Sequence, residues 1–79
     1  MEINFEEAET LDTQGLFCPE PIMLLHSKMD EVNPGDKVLV LASDPATKRD
    51  IPKFCQFLGH ELVSQEISEE QFMYVIKKR

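Results

Sequence analysis

Apolar residues follow two different spacings along this 79-residue chain. Ile22, Leu25, Met29 and Val32 fall at i, i+3, i+7 and i+10, which forms one stripe of a helix. Pro19 stands just before the stripe. Proline lacks an N–H and has a fixed φ, so it suits a helix's first turn and little else within a helix. The spacing therefore predicts a helix from Pro19 to about Val32. Asn33-Pro34-Gly35-Asp36 should stop it, because the residue before a proline avoids the helical region. A second stripe, Ile51, Phe54, Cys55 and Leu58, predicts a second helix. Asp44 is its expected cap, Pro45 its first residue and Gly59 its end. Pro52 lies inside that span and is expected to kink or split it.

The other apolar segments are continuous or alternating. Val38-Leu39-Val40-Leu41-Ala42 is an unbroken run rich in β-branched residues, as expected of a central strand. Thr10–Thr13 reads as a short strand. Glu61–Ile67 and Phe72–Lys77 read as two more, joined by Ser68-Glu69-Glu70 in a hairpin. Residues 1–8 are polar and acidic and are expected to fray. The order is β-α-β-α-β-β. Short right-handed crossovers place both helices on one face of a four-stranded sheet, leaving the other face without a helix layer. The expected fold is an α/β two-layer sandwich formed by a single domain over residues 1–79.

Composition narrows the functions open to such a chain. With 42% hydrophobic and 29% charged residues it is globular rather than disordered. It is too small to enclose a large substrate, which favours a carrier, an adaptor or a subunit. Eight basic against fifteen acidic residues leave a net charge of −7. That argues against direct nucleic-acid binding, which rests on neutralising phosphates, and favours partners with basic surfaces. A net negative charge also simply keeps a small protein soluble. No segment is long enough to span a membrane. The first residues, Met1-Glu2-Ile3-Asn4-Phe5-Glu6-Glu7, show neither a basic region nor an apolar stretch, so a cytoplasmic location with reduced thiols is expected.

Two cysteines carry the candidate chemistry. Cys18 directly precedes Pro19, with Gly15 supplying the turn that delivers it. A thiol at a helix N-terminus meets unpaired N–H groups and the positive end of the dipole, which favour a thiolate. The starting pKa of a free thiol is about 8.5, so a modest depression would matter at neutral pH. Glu20 opposes it, since its carboxylate competes for the same dipole. A cysteine near a helix start can also be a small buried hydrophobe. Position alone leaves both readings open.

Cys55 lies on the apolar stripe and is expected in the core, where desolvation raises a thiol's pKa. His26 is two turns from Cys18, too far along one helix for direct contact, and reads as a solvated surface histidine. His60 follows Gly59, where a cation suits the carbonyl end of a helix, and reads as structural. These four residues have no recognisable metal-ligand spacing. There is no Cys-x-x-Cys motif. Lys48, Arg49 and Lys53 form a basic cluster that is either a docking site or a solvated face balanced by Asp50.

Two segments then carry a family likeness. Gly15-Leu16-Phe17-Cys18-Pro19-Glu20-Pro21 resembles the Cys-Pro-x-Pro signature of the TusA/SirA-like family of small sulfur carriers. Ser43-Asp44-Pro45-Ala46-Thr47-Lys48-Arg49-Asp50-Ile51-Pro52, with Phe54-Cys55 and Gly59-His60-Glu61-Leu62, resembles that family's second-helix region. The likeness runs from about Leu11 to Lys77 and is greatest to the TusA branch. Ser43 departs from it, since TusA-like sequences often carry a second acid there. The resemblance implies the same two-layer fold and a sulfurtransferase function. Cys18 would be the catalytic residue, accepting a persulfide sulfur from a cysteine desulfurase. A downstream sulfur-relay protein would then receive it, towards 2-thiouridine in tRNA, without direct contact with nucleic acid. No metal or organic cofactor is implied. Relatives that serve sulfur oxidation or molybdenum-cofactor metabolism share the chemistry, and a non-catalytic adaptor or regulator is the other class that the sequence allows.

Overall fold

The computed structural model describes residues 9–69 and 71–79, so the expected fraying of residues 1–8 lies outside the described residues. The elements are β1 (Glu9–Thr13), α1 (Glu20–Glu31), β2 (Lys37–Ala42), α2 (Thr47–Leu58), β3 (Glu61–Ile67) and β4 (Phe72–Lys77). They form the expected β-α-β-α-β-β two-layer α/β sandwich. The sheet order is β1-β2-β4-β3. β1 runs parallel to β2, with Leu11 opposite Val40. β4 is antiparallel to both of its neighbours, β2 and β3.

The period-two alternation of β2 and β4 explains the layers. Val38, Val40 and Ala42 of β2 face the helices, as do Phe72, Tyr74 and Ile76 of β4; all six are buried. Leu25, Met29 and Val32 meet them from the first stripe, and Ile51, Phe54 and Cys55 from the second. Both helical stripes are thus core stripes, as their spacing predicts. On the opposite sheet face, Leu39, Leu41 and Met73 are only half-buried.

Several boundaries differ from the sequence expectation, each for a local reason. Regular α1 begins at Glu20, and Pro19 is the flanking residue with φ −97°. Its missing N–H costs nothing there, and its carbonyl accepts the N–H of Met23 at 3.1 Å. Regular α2 begins at Thr47 rather than Pro45. Asp44 and Pro45 instead shape a tight turn in which Thr47 N–H donates to the Asp44 carbonyl at 3.0 Å and Lys48 N–H to that of Pro45 at 3.1 Å. Pro52 does not split α2, which runs unbroken over twelve residues. The bond it removes would have reached the carbonyl of Lys48, an exposed residue whose oxygen water can serve. Gly59 ends the helix with φ +78°, a left-handed conformation that suits glycine, and the Arg79 side chain fills the space a Cβ would need.

One buried polar contact ties the α2 start to the sheet. Thr47 Oγ1 donates to the Asp44 carbonyl at 2.7 Å and lies 3.0 Å from the Tyr74 hydroxyl. Because the threonine proton is committed to Asp44, Tyr74 is the donor in that pair. Thr47→Val should therefore destabilise more than Tyr74→Phe. It leaves the Tyr74 hydroxyl without an acceptor in the core, whereas Tyr74→Phe removes only one donor. Losses of about 1 kcal/mol for Tyr74→Phe and about 2–3 kcal/mol for Thr47→Val are expected in urea unfolding. A larger loss in Tyr74→Phe would mean that the hydroxyl is not the donor.

Candidate functional site

The Cys18 loop is held by the β2–α2 loop rather than by its own helix. Thr13, fully buried, donates Oγ1 to the Leu41 carbonyl at 2.7 Å. Gly15, with φ +85°, turns the chain and donates its N–H to Ser43 Oγ at 2.8 Å. Cys18 N–H then donates to Asp44 Oδ2 at 2.7 Å. The other carboxylate oxygen, Oδ1, accepts the Ala46 N–H at 3.1 Å. Asp44 thus closes the turn before α2 rather than capping the helix as expected, since Ala46 is the flanking residue, and with its second oxygen it fastens the thiol loop. The Phe17 carbonyl accepts the Glu20 N–H at 2.9 Å, and the Cys18–Pro19 peptide is cis.

This placement corrects the expected geometry of the thiol. Cys18 stands two residues before regular α1, outside its first turn, and its side chain is exposed. Its Sγ donates to Asp50 Oδ2, 3.4 Å away on the first turn of α2. That hydrogen bond, followed by desolvation and the negative charges of Asp50 and Asp44, raises the thiol pKa; Arg49 opposes them. The acids that govern the thiol are therefore on the β2–α2 side, and Glu20 is not among them. Asp50 is 32 residues from Cys18 in sequence, and no local pattern announces the pairing.

The remaining expectations divide. Cys55 lies in the core at 3% exposure, and burial pushes its pKa up to about 11, so it is an inert thiol. His26 is exposed as expected, but its ring also packs in a T-shaped arrangement with that of Phe54, their centroids 4.7 Å apart. His60 is not the cation that would suit the helix end. Burial and the nearby positive charges of Lys78 and Arg79 lower its pKa, and Nδ1 accepts the Arg79 N–H at 3.1 Å. The basic cluster separates into three roles. Lys48 stands over the Phe72 ring at 5.4 Å, Arg49 Nε pairs with Asp50 Oδ1 at 3.3 Å, and Lys53 lines a groove.

That groove was not legible in the sequence. It lies between the helices, encloses about 860 Å³ and has Cys18 and Asp50 among its lining residues. Ile22, Phe54, Phe57 and Leu58 give it an apolar wall. Phe57 is 88% exposed, and Phe17 and Met23 are also largely exposed. The arrangement offers a reachable sulfur beside an apolar surface and two acids. Among the described residues no cluster of His, Cys, Asp and Glu could hold a metal ion, and no helix is long and apolar enough to cross a membrane.

Comparison with known proteins agrees with the fold and the motif. The model of a family described as sulfurtransferase TusA matches residues 9–78. A sulfur carrier protein TusA from Pseudomonas syringae pv. syringae is 55% identical over 69 residues, which is 87% of this chain and 82% of the relative. That of Pseudomonas savastanoi pv. phaseolicola is 54% identical over 76 residues, 96% of this chain and 90% of the relative. That of Pseudomonas aeruginosa strain LESB58 is 54% identical over 69 residues, 87% of each chain. Since the match spans every element of the sandwich and both loops that meet at Cys18, this chain belongs to the TusA family of sulfurtransferases and sulfur carriers.

Proposed function

We propose that Cys18 carries a sulfane sulfur between two proteins. The observation that carries this reading is an exposed thiol on a loop pinned at 2.7 Å by Asp44, set at the mouth of an open apolar groove. A carrier must bring its sulfur against a sulfur of each partner, so the thiol has to project from a surface that partners can cover. Cys55, sealed in the core, cannot do so.

The sulfur donor is a cysteine desulfurase bearing a persulfide. The Cys18 thiolate attacks the outer sulfur. The new S–S bond forms on Cys18 as the donor's own S–S bond breaks, and the donor cysteine leaves as a thiolate and takes up a proton. The sulfane sulfur moves with no net oxidation or reduction. A cysteine of a downstream relay protein repeats the attack on the loaded carrier, and the sulfur passes on in the cytoplasm towards 2-thiouridine in tRNA. Family membership supports this direction, and the −7 net charge fits protein partners with basic faces better than it fits RNA.

Intact-mass measurement after incubation with a desulfurase and free cysteine is the direct test. Wild type and Cys55→Ser should each gain one sulfur atom, and Cys18→Ser none. Cys55→Ser should also lose about 1–2 kcal/mol of stability, because it places a hydroxyl in the core. Loading that survives Cys18→Ser, or stops in a folded Cys55→Ser protein, would reassign the carrier.

The docking surface makes a second prediction. Phe57→Ala should slow loading roughly tenfold with little change in unfolding midpoint, because the ring is exposed and its contacts form only in the complex. The encounter rate should fall as salt rises from about 0.05 to 0.5 M, since charge steering is screened. Salt-independent transfer and a fully active Phe57→Ala carrier would together place docking elsewhere.

A further inference from the structure

Asp50 is an unexpected neighbour for a nucleophilic thiol. A carboxylate disfavours the thiolate it stands beside, yet here it accepts the thiol's hydrogen bond. Its placement is not a surface accident. Its N–H donates to the Ala46 carbonyl at 2.9 Å in the first turn of α2, and its carboxylate is 20% exposed and spans two partners. Oδ2 holds Cys18 Sγ, and Oδ1 lies 3.3 Å from Arg49 Nε. The other charged groups around the thiol are Asp44, below its backbone N–H, Lys53 and His26 along the groove, and Glu20 at the start of α1.

Building on the carrier reading, we propose that Asp50 is a positioning residue that latches Cys18: its carboxylate keeps the sulfur of the free carrier oriented and protonated, and a cation of the docked partner releases it. In the free protein the latch holds reactivity down, because the thiolate is the nucleophile and Asp50 favours the thiol. An arginine or lysine brought against Oδ1 and Oδ2 by a basic partner draws the carboxylate's charge away from the sulfur. The proton then leaves to solvent, the thiolate attacks, and the departing donor thiolate takes up a proton afterwards. The internal pair with Arg49 shows that a guanidinium can reach this carboxylate, and Arg49 is itself largely exposed and free to exchange with a partner cation. The latch suits a carrier whose empty form must pass other electrophiles and react only with its partner.

The test uses the free protein and small thiol reagents, so its outcome does not depend on whether Cys18 carries sulfur. Cys55→Ser serves as background, leaving one reactive thiol. Three methanethiosulfonates, bearing a methyl, an aminoethyl or a sulfonatoethyl group, are reacted between about pH 7 and pH 9, the range over which a thiol begins to ionise. Asp50→Asn should react with the neutral reagent about threefold or more faster below the titration midpoint, and its pH profile should move to lower pH. Asp50→Glu should restore the slow profile in part. Glu66→Gln, which removes the same charge from an exposed position of β3, should leave it unchanged. The unmodified carrier should prefer the cationic reagent to the anionic one by about tenfold, and Asp50→Asn should lose most of that preference. A neutral-reagent profile that Asp50→Asn does not move overturns the latch. A cation preference that persists in Asp50→Asn assigns it to the acidic surface at large and overturns release by a partner cation.

Discussion

The Asp44 carboxylate is the constraint on which the site depends. It is buried at 8% exposure and accepts two backbone N–H groups, one from each loop it joins. Hydrogen bonds to a charged acceptor contribute about 1.5–3 kcal/mol each, more than a neutral pair. Here they compensate for burying the charge. The Asp44 carbonyl takes part as well, accepting Thr47 Oγ1, which is linked in turn to Tyr74 in the middle of the sheet. A continuous chain of contacts thus runs from the core strand β4 to the backbone of Cys18. The thiol is exposed while the peptide that carries it is anchored.

The same chain sets the electrostatics. To hold the loop, a negative charge has to sit beside the thiol, and the first turn of α2 brings a second one, Asp50, into contact with the sulfur. A helix start would have favoured the thiolate, but the loop's geometry moves Cys18 out of the first turn of α1 and towards the acids. These surroundings therefore favour the Cys18 thiol over its thiolate. The proposed transfer then requires docking to change its surroundings, and the exposed apolar wall of the groove, with Phe57 foremost, is the proposed docking surface. In the proposed carrier role, apolar contacts would supply affinity and the charge on α2 would couple contact to chemistry.

Most of the architecture was legible in the chain. The two helical stripes buried the residues their spacing indicated, and the unbroken run at Val38–Ala42 became an interior strand. Two short-range tendencies are overridden by their surroundings. Pro52, expected to kink or split α2, does not split it, because the bond it forgoes belongs to an exposed residue and the apolar stripe on the far side holds the helix together. His60 is structural, as expected, although a cation would suit its place at a helix end. The C-terminal residues Lys78 and Arg79, which the sheet brings alongside, make it a neutral acceptor instead.

The sequence by itself determined the order of elements, their buried faces and which cysteine lies on an apolar stripe. Each of these follows from periodicity and from proline and glycine chemistry acting over a few residues. Only the tertiary structure decided what surrounds the thiol. Asp44 and Asp50 lie 26 and 32 residues from Cys18 along the chain and reach it because β1 and β2 pair in parallel, which brings the loops after them to the same end of the sheet. No local pattern records such a meeting. It is set by strand register and by which lone pairs a turn-closing carboxylate has left to share, and these exist only once the sheet has formed.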